Sequence, residues 1–173
     1  LKILCIYHGN CPDGFGAAWA VRHGLDGLVE FCAGFHYAPP PDVSGREVVM
    51  VDFAYKLPVM EMLLQQAKSI LVLDHHKTAA DDLSTLLEQG KVGGVFDMNK
   101  SGAMLAWEWF NPNQKPPRLL SHIQDRDLWR YEMEYTREIQ AALSSHPYDF
   151  ELWDELMASD LSQLICDGVA IVR

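Results

Sequence analysis

Short runs of consecutive apolar residues recur through the first hundred positions. KILCIY (2–7), LVEFCA (28–33), EVVMVD (47–52), SILVLD (69–74) and VGGVF (92–96) are nearly unbroken and rich in branched side chains. A strand with one wet face alternates apolar and polar residues, whereas a strand covered on both faces does not, so these runs predict strands buried on both sides. Helical stretches fall between them, at 14–24, at 58–68 with Pro58 in the first turn, and at 81–89, opened by Asp81 and Asp82. Strands alternating with helices of about ten residues predict an α/β fold: a mostly parallel, doubly wound sheet flanked by helices. After Phe96 the pattern changes. Segments 101–110, 117–127, 136–145, 149–158 and 160–172 all read as helical, the first two separated by NPNQKPP, so a helical C-terminal segment follows the sheet.

Composition narrows the setting. The chain has 173 residues, 49% hydrophobic and 22% charged, enough for a sizeable core and typical of a globular domain. No apolar run is long enough to span a bilayer, and the opening Lys2-ILCIY reads as a strand rather than a leader, so a cytoplasmic protein is expected. Cys5, Cys11, Cys32 and Cys166 form no CxxC pair, which leaves reduced thiols, with Cys11 read as a bystander in its loop. A net charge of −10 argues against a broad basic face for duplex nucleic acid. It does not disfavour a small anion held through cations, because bound cations invert the local charge.

The chemistry gathers at strand ends. In open parallel sheets ligands bind beyond the carboxyl ends of the strands. The first strand runs into His8 and Asp13 (YHGNCPDG), the third ends on Asp52, and the fourth on Asp74, His75 and His76. A lone Asp at a strand end is usually a turn former. Carboxylates and imidazoles at three strand ends are poorly explained that way, since such groups are costly to bury unpaired. HIQDRDLW (122–129) adds Asp125 and Asp127, with Arg126 and Arg130 beside them. Oxygen and imidazole donors without thiolates suit Mn²⁺, with Mg²⁺ as the alternative, and one or two such ions would activate water and clamp a phosphoryl group.

These residues resemble the DHH phosphoesterase superfamily, named for the tripeptide that stands here as Asp74-His75-His76. The resemblance covers residues 2–130 and four motifs in order: His8 with Asp13, Asp52, the tripeptide, and an Asp past a helix. It implies a DHH metal-binding domain over 1–130, a helical extension over 131–173, and a C-terminal substrate-binding domain outside this chain. It also implies roles: His8 and Asp13 on a first metal, Asp52 bridging, His75 on the second metal, and His76 with Asp74 as the catalytic pair. In that pair His76 lies behind the ligands or reaches a substrate phosphate, and Asp74 orients. For the fourth motif the resemblance favours Asp125, because Trp129 follows four residues later. Helical phasing favours Asp127, on a face with Leu120 and Ile123; Asp125 ranks first and Asp127 is kept beside it. The chain departs from the family where many members carry Asp-x-Asp: Asp13 is followed by Gly14 and Phe15, so a second-metal ligand is lost. The His-to-Asp spacing is also one residue longer, which makes Asn10 a candidate to serve the metal or the substrate.

Other polar residues have plainer readings. Ser101 in NKSGA reads first as an N-cap, and the helix it opens is a second candidate for phosphate. Arg126 is expected to help neutralise phosphoryl oxygens. His122, His23, His36 and His146 are expected at the surface; lining of the cleft by His36 and Tyr37 is the lesser alternative. Trp107, Trp109, Trp129 and Trp153 are expected in the core or at a domain interface. The expected activity is hydrolysis of phosphoester bonds in a short oligonucleotide, cyclic dinucleotide or small phosphate ester. Its partners are that small or single-stranded substrate, with no duplex and no membrane; a homodimer is compatible with the sequence. The alternatives are a non-catalytic DHH scaffold and a pyrophosphatase-like enzyme.

Overall fold

The computed structural model describes residues 2–25, 27 and 29–173. The elements are β1 (Ile3–His8), α1 (Pro12–Gly24), β2 (Val29–Gly34), β3 (Glu47–Val51), α2 (Leu57–Leu64), β4 (Ser69–Asp74), α3 (Lys77–Glu88), β5 (Gly93–Phe96), α4 (Gly102–Phe110), α5 (Arg118–Asp127), α6 (Thr136–Leu143), α7 (Phe150–Ala158) and α8 (Ser162–Ile171). The five strands form one sheet in the order β2-β1-β3-β4-β5, every pairing parallel. The fold is therefore the α/β, doubly wound class that the apolar runs predict. Leu28, the first residue of the expected 28–33 strand, lies outside the described residues.

The central strands β1, β3 and β4 are covered on both faces, which is why they are largely apolar; the edge strands differ from the expectation, β2 being half-buried and β5 exposed at Gly93, Gly94 and Val95. Leu4 and Ile6 of β1 join Val48, Met50 and Val72 against Met60 and Leu63 of α2 and Leu83 and Leu86 of α3. Cys5, between them, points the other way, into a larger core built by α1, α4 and the C-terminal helices. Residues 131–173 belong to that core: Ile139, Trp153 and Leu164 pack in one cluster with Trp19, Trp107 and Leu120. Phe15 is a main joint. Its ring stacks on Phe150 at 4.7 Å and meets Trp153 edge-on at 4.9 Å, and it is 2% exposed. Removing a ring so enclosed costs about 3–5 kcal/mol.

Several element boundaries differ from the sequence expectation, and three of the differences have a visible cause. α2 stops at Leu64 instead of running to 68, because Gln66 and Ala67 both bond back to the Leu63 carbonyl and Lys68 bonds to Arg46 O at 2.8 Å, turning the chain into β4. α3 starts at Lys77, four residues early, because the His76 carbonyl accepts from Ala79 and Ala80 and opens the helix directly behind the tripeptide. β3 ends at Val51, and Asp52 takes a left-handed backbone (φ 53) while donating its N–H to Leu73 O at 2.9 Å.

The turn from α5 to α6 is held by Asp125. Trp129, Tyr131 and Tyr135 all adopt positive φ there, a conformation that costs about 1 kcal/mol or more per residue. Asp125 Oδ1 accepts from Glu132 N at 2.9 Å; Oδ2 accepts from Met133 N at 3.1 Å and from Thr136 Oγ1 at 2.6 Å. Thr136 Oγ1 in turn receives the proton of His122 Nδ1 at 2.9 Å. His122 is fully buried, not at the surface, and burial lowers its pKa. Burial pushes the Asp125 carboxyl up, but Thr136 and the two backbone amides outweigh it and hold its pKa below the ordinary range.

Replacing Asp125 with Ala should therefore lower stability by about 3 kcal/mol, since buried donors lose a charged acceptor. The depressed pKa makes this contribution complete above the unfolded value near 3.9 and lost as pH falls through the lower folded value. Denaturant titrations of both proteins should show the gap at pH 7 and its closure in acid. A gap that is absent at pH 7, or that widens in acid, contradicts the role.

Candidate metal centre

The strand order reverses between β1 and β3, and the chemistry collects at the carboxyl end of that crevice. β1 ends on His8; Asp52 follows β3 immediately; β4 ends on Asp74, and His75 and His76 lead into α3. Asp13 projects from the first turn of α1, and Asp127 is the last residue of α5. Two glycines allow this convergence. A Cβ on Gly14 would lie 2.2 Å from the His8 carbonyl oxygen, and one on Gly102 would lie 2.3 Å from Asp52 Cβ. Neither helix could approach the strand ends with a larger residue there.

Asp52 stands at the middle, 2% exposed. Its Oδ2 is 3.4 Å from His8 Nδ1 and its Oδ1 is 3.2 Å from His75 Nε2, a close contact that lacks hydrogen-bond alignment. His75 Nε2 also lies 3.3 Å from Asp127 Oδ2 and 3.9 Å from Asp13 Oδ2. Among the described residues three donor groups result, each with its ligand atoms within 4.8 Å of one another: Asp13, His75 and Asp127; His8, Cys11 and Asp52; and Asp52, Asp74, His75 and His76. Behind them Asp74 is an anchor. It is 1% exposed, and its Oδ1 accepts from the backbone N–H of His75 at 2.7 Å and of His76 at 3.3 Å and pairs with His76 Nδ1 at 2.7 Å. The His76 ring is 46% exposed, and a cavity of about 50 Å³ opens beside it, toward His36 and Lys56.

The electrostatics describe a group of anions short of positive charge. Burial and the neighbouring Asp52 and Asp127 carboxylates push Asp13 well above its ordinary pKa, despite hydrogen bonds from the α4 terminus. Burial and Asp52 raise Asp127 as well. Asp52 suffers the same burial, but His75 and His8 overcome it and hold its carboxyl low. The imidazoles respond in turn: the Asp52 carboxylate 3.4 Å away, with Cys11 beside it, lifts His8 to about 10, and Asp52, Asp13 and Asp127 override burial to lift His75 to about 9. Among the described residues, Asp52 Oδ1 is a buried carboxylate oxygen with no hydrogen-bond partner. Three carboxylates around one imidazole and an unmatched buried oxygen fit a divalent cation, which would neutralise the repulsion and take the free lone pair.

The structure brings together His8, Asp13, Asp52, His75 and Asp127, and regroups them. Asp13 stands with His75 and Asp127, not with His8 as the resemblance implied, because α4 holds it: its carboxylate accepts from Gly102 N at 2.7 Å and Ala103 N at 3.1 Å. That corrects Ser101 as a substrate group. Its hydroxyl is fully buried and caps α4 through Met104 N at 3.3 Å, and the amides expected for phosphate are taken by Asp13. Asp125, ranked ahead of Asp127, is corrected too, since both its oxygens are spent on the α5–α6 turn. Asn10 is an exposed turn residue (φ 55), while Cys11, read as a bystander, falls inside a donor group. Phe15 faces the C-terminal helices, so position 15 is structural in this chain. Arg126 lies on the rim, Nη1 3.7 Å from Asp127 Oδ1. His36 reaches the cleft, its ring 5.8 Å from that of His8, whereas Tyr37 is fully exposed. Trp107 and Trp153 are buried as expected; Trp109 and Trp129 are exposed, Trp129 because it sits in the turn beyond α5.

No protein-family model matches the chain. An uncharacterized protein of Acanthamoeba polyphaga mimivirus, R106, is 32% identical over 174 residues, a match that takes in 91% of this chain and 41% of that protein. The chain thus spans less than half the length of this curated relative. The crystal structure of an uncharacterized protein from Helicobacter pylori G27 superposes with a TM-score of 0.67 at 12% identity, over 96% of this chain and 59% of that one. At that identity the likeness is one of fold.

Proposed function

We propose that the chain carries the metal-binding part of a DHH-type phosphohydrolase. It would cleave phosphoester bonds of short oligonucleotides, cyclic dinucleotides or small phosphate esters with Mn²⁺, or Mg²⁺ in its place. The observation that carries this reading is the buried Asp52 carboxylate, set between His8 and His75 with one oxygen unmatched, at the switch point of a parallel sheet. Divalent ions held by Asp13, His75 and Asp127 on one side and by His8 and Asp52 on the other would supply Lewis acidity to a phosphoryl oxygen and a lowered pKa for water.

The remaining work falls to this chain's side chains. Asp74 fixes the ring of His76 and raises its pKa, which keeps a proton on the exposed edge of the ring for a departing oxygen. Arg126, partly exposed beside Asp127, meets the negative charge of the phosphate. The α4 terminus fixes Asp13 and Asp52 sits in a backbone conformation locked by Leu73, so the ligands are oriented before a cation arrives. The acidic surface favours substrates drawn in by bound cations over an extended duplex.

Replacing Asp52 with Asn should abolish hydrolysis of a dinucleotide such as pApA in Mn²⁺ while the far-UV spectrum and unfolding transition persist. Asp127→Asn should weaken Mn²⁺ binding, read by calorimetry, by about tenfold or more. Near-wild-type turnover in the first variant, or unchanged affinity in the second, contradicts the proposal.

Affinity should also rise with pH. At neutral pH a cation must displace protons from His8 and His75, whose pKa values are about 10 and about 9. Each proton released contributes up to about tenfold per pH unit. Calorimetry at pH 7 in buffers of different ionisation enthalpy should show at least one proton leaving per ion, and binding without proton release is the contrary result. The cation-free protein runs the other way: its raised histidines give stability that is complete below their unfolded value near 6.5 and lost as pH rises through about 9 to 10.

A further inference from the structure

Two of the three donor groups are chemically unequal. Asp13, His75 and Asp127 offer two carboxylates and an imidazole. His8, Cys11 and Asp52 offer an imidazole, a thiol and one carboxylate, again within 4.8 Å of one another. We infer that the second group is a thiolate-bearing site for a borderline cation such as Zn²⁺, Fe²⁺ or Co²⁺, next to an oxygen-rich site for Mn²⁺ or Mg²⁺, with Asp52 shared between them.

The backbone delivers Cys11 to this place. Gly9 N bonds to Gly34 O at 3.0 Å at the end of β1, Asn10 turns left-handed, and the chain folds back so that Cys11 becomes the N-cap of α1. Its carbonyl accepts from Phe15 N at 2.9 Å, but its side chain makes no capping bond and lies beside the His8 ring instead. A small polar residue that capped the helix would be the ordinary occupant here. The second observation is Asp52, 2% exposed, with one oxygen turned to His8 and the other, unmatched, to His75, so that one carboxylate borders a ligand of each group. Cys5, Cys32 and Cys166 fall in no such donor group among the described residues.

Ligand softness then assigns the ions. Thiolate ligands select zinc and iron over magnesium, whereas carboxylate oxygens suit magnesium and manganese. Three protein ligands of the N, S and O type, with a further position open, are also the pattern of a catalytic zinc site. The inference rests on the metal-centre reading above and adds which class of ion each half takes.

The test is a Co²⁺ titration of the chain in a Cys166→Ser background, which removes the exposed thiol, followed by absorption spectroscopy. The expected result is a near-ultraviolet thiolate-to-cobalt charge-transfer band that Zn²⁺ displaces and Mn²⁺ does not. Cys11→Ser should lose the band and bind Co²⁺ at that site at least about tenfold more weakly. Cys11→Asp should bind Co²⁺ there without the band. Co²⁺ binding with no thiolate band, or a band that survives Cys11→Ser, overturns the mixed-site inference and leaves the metal centre standing. Failure of Co²⁺ and Mn²⁺ alike to bind the unmodified chain overturns both.

Discussion

The structure depends on one buried carboxylate. Asp52 is carried to the interior by β3, bent there by a left-handed backbone, and set between two imidazoles with more negative than positive charge around it. An ionised group in that position is costly unless it is matched. Much of what surrounds it follows from that constraint. His8 and His75 are drawn up in pKa, Gly102 is required so that α4 can pass, and Asp74 holds the tripeptide backbone so that His75 faces inward. The neighbouring Asp13 is stabilised from behind by two amides at the α4 terminus, a good place for a negative charge.

The C-terminal helices complete the same design. Phe15, two residues along the helix that presents Asp13, is locked into Phe150 and Trp153, so the orientation of α1 depends on residues far along the chain. α5 brings Asp127 to His75, and the turn that ends α5 is held by Asp125 through Glu132, Met133 and Thr136. Two aspartates, two residues apart, thus divide the labour: one faces the imidazole and the other secures the element that presents it.

The sheet was legible because strands buried on both faces must be apolar throughout, and each predicted strand is present, with β4 at its predicted limits. The strand-end residues were legible for a related reason, since few other causes place Asp52 and Asp74-His75-His76 at the ends of such strands. The misreadings share a physical origin: they concern partners that no local pattern reveals. Asp125 and Asp127 both lie on or near the inward face of α5, and only the path of the following turn shows which is free. Ser101 looked like a helix start, as it is, but the competitor for the helix amides, Asp13, lies about ninety residues away. His122 looked like a surface residue because its partner Thr136 belongs to the next helix. Cys11 carried no motif, and its importance arises only where the Asn10 turn folds it onto His8.

The central claim is that Asp52 is shared between two cation sites of this one crevice. Anomalous scattering from crystals of the chain soaked in Mn²⁺ tests it most directly. The expected result is a peak bounded by Asp13, Asp52, His75 and Asp127, with Asp125 outside its coordination sphere, and a second position on the His8 side of the same carboxylate once a softer ion is added. Anomalous density that avoids Asp52, or its absence from the crevice at saturating Mn²⁺, would contradict it.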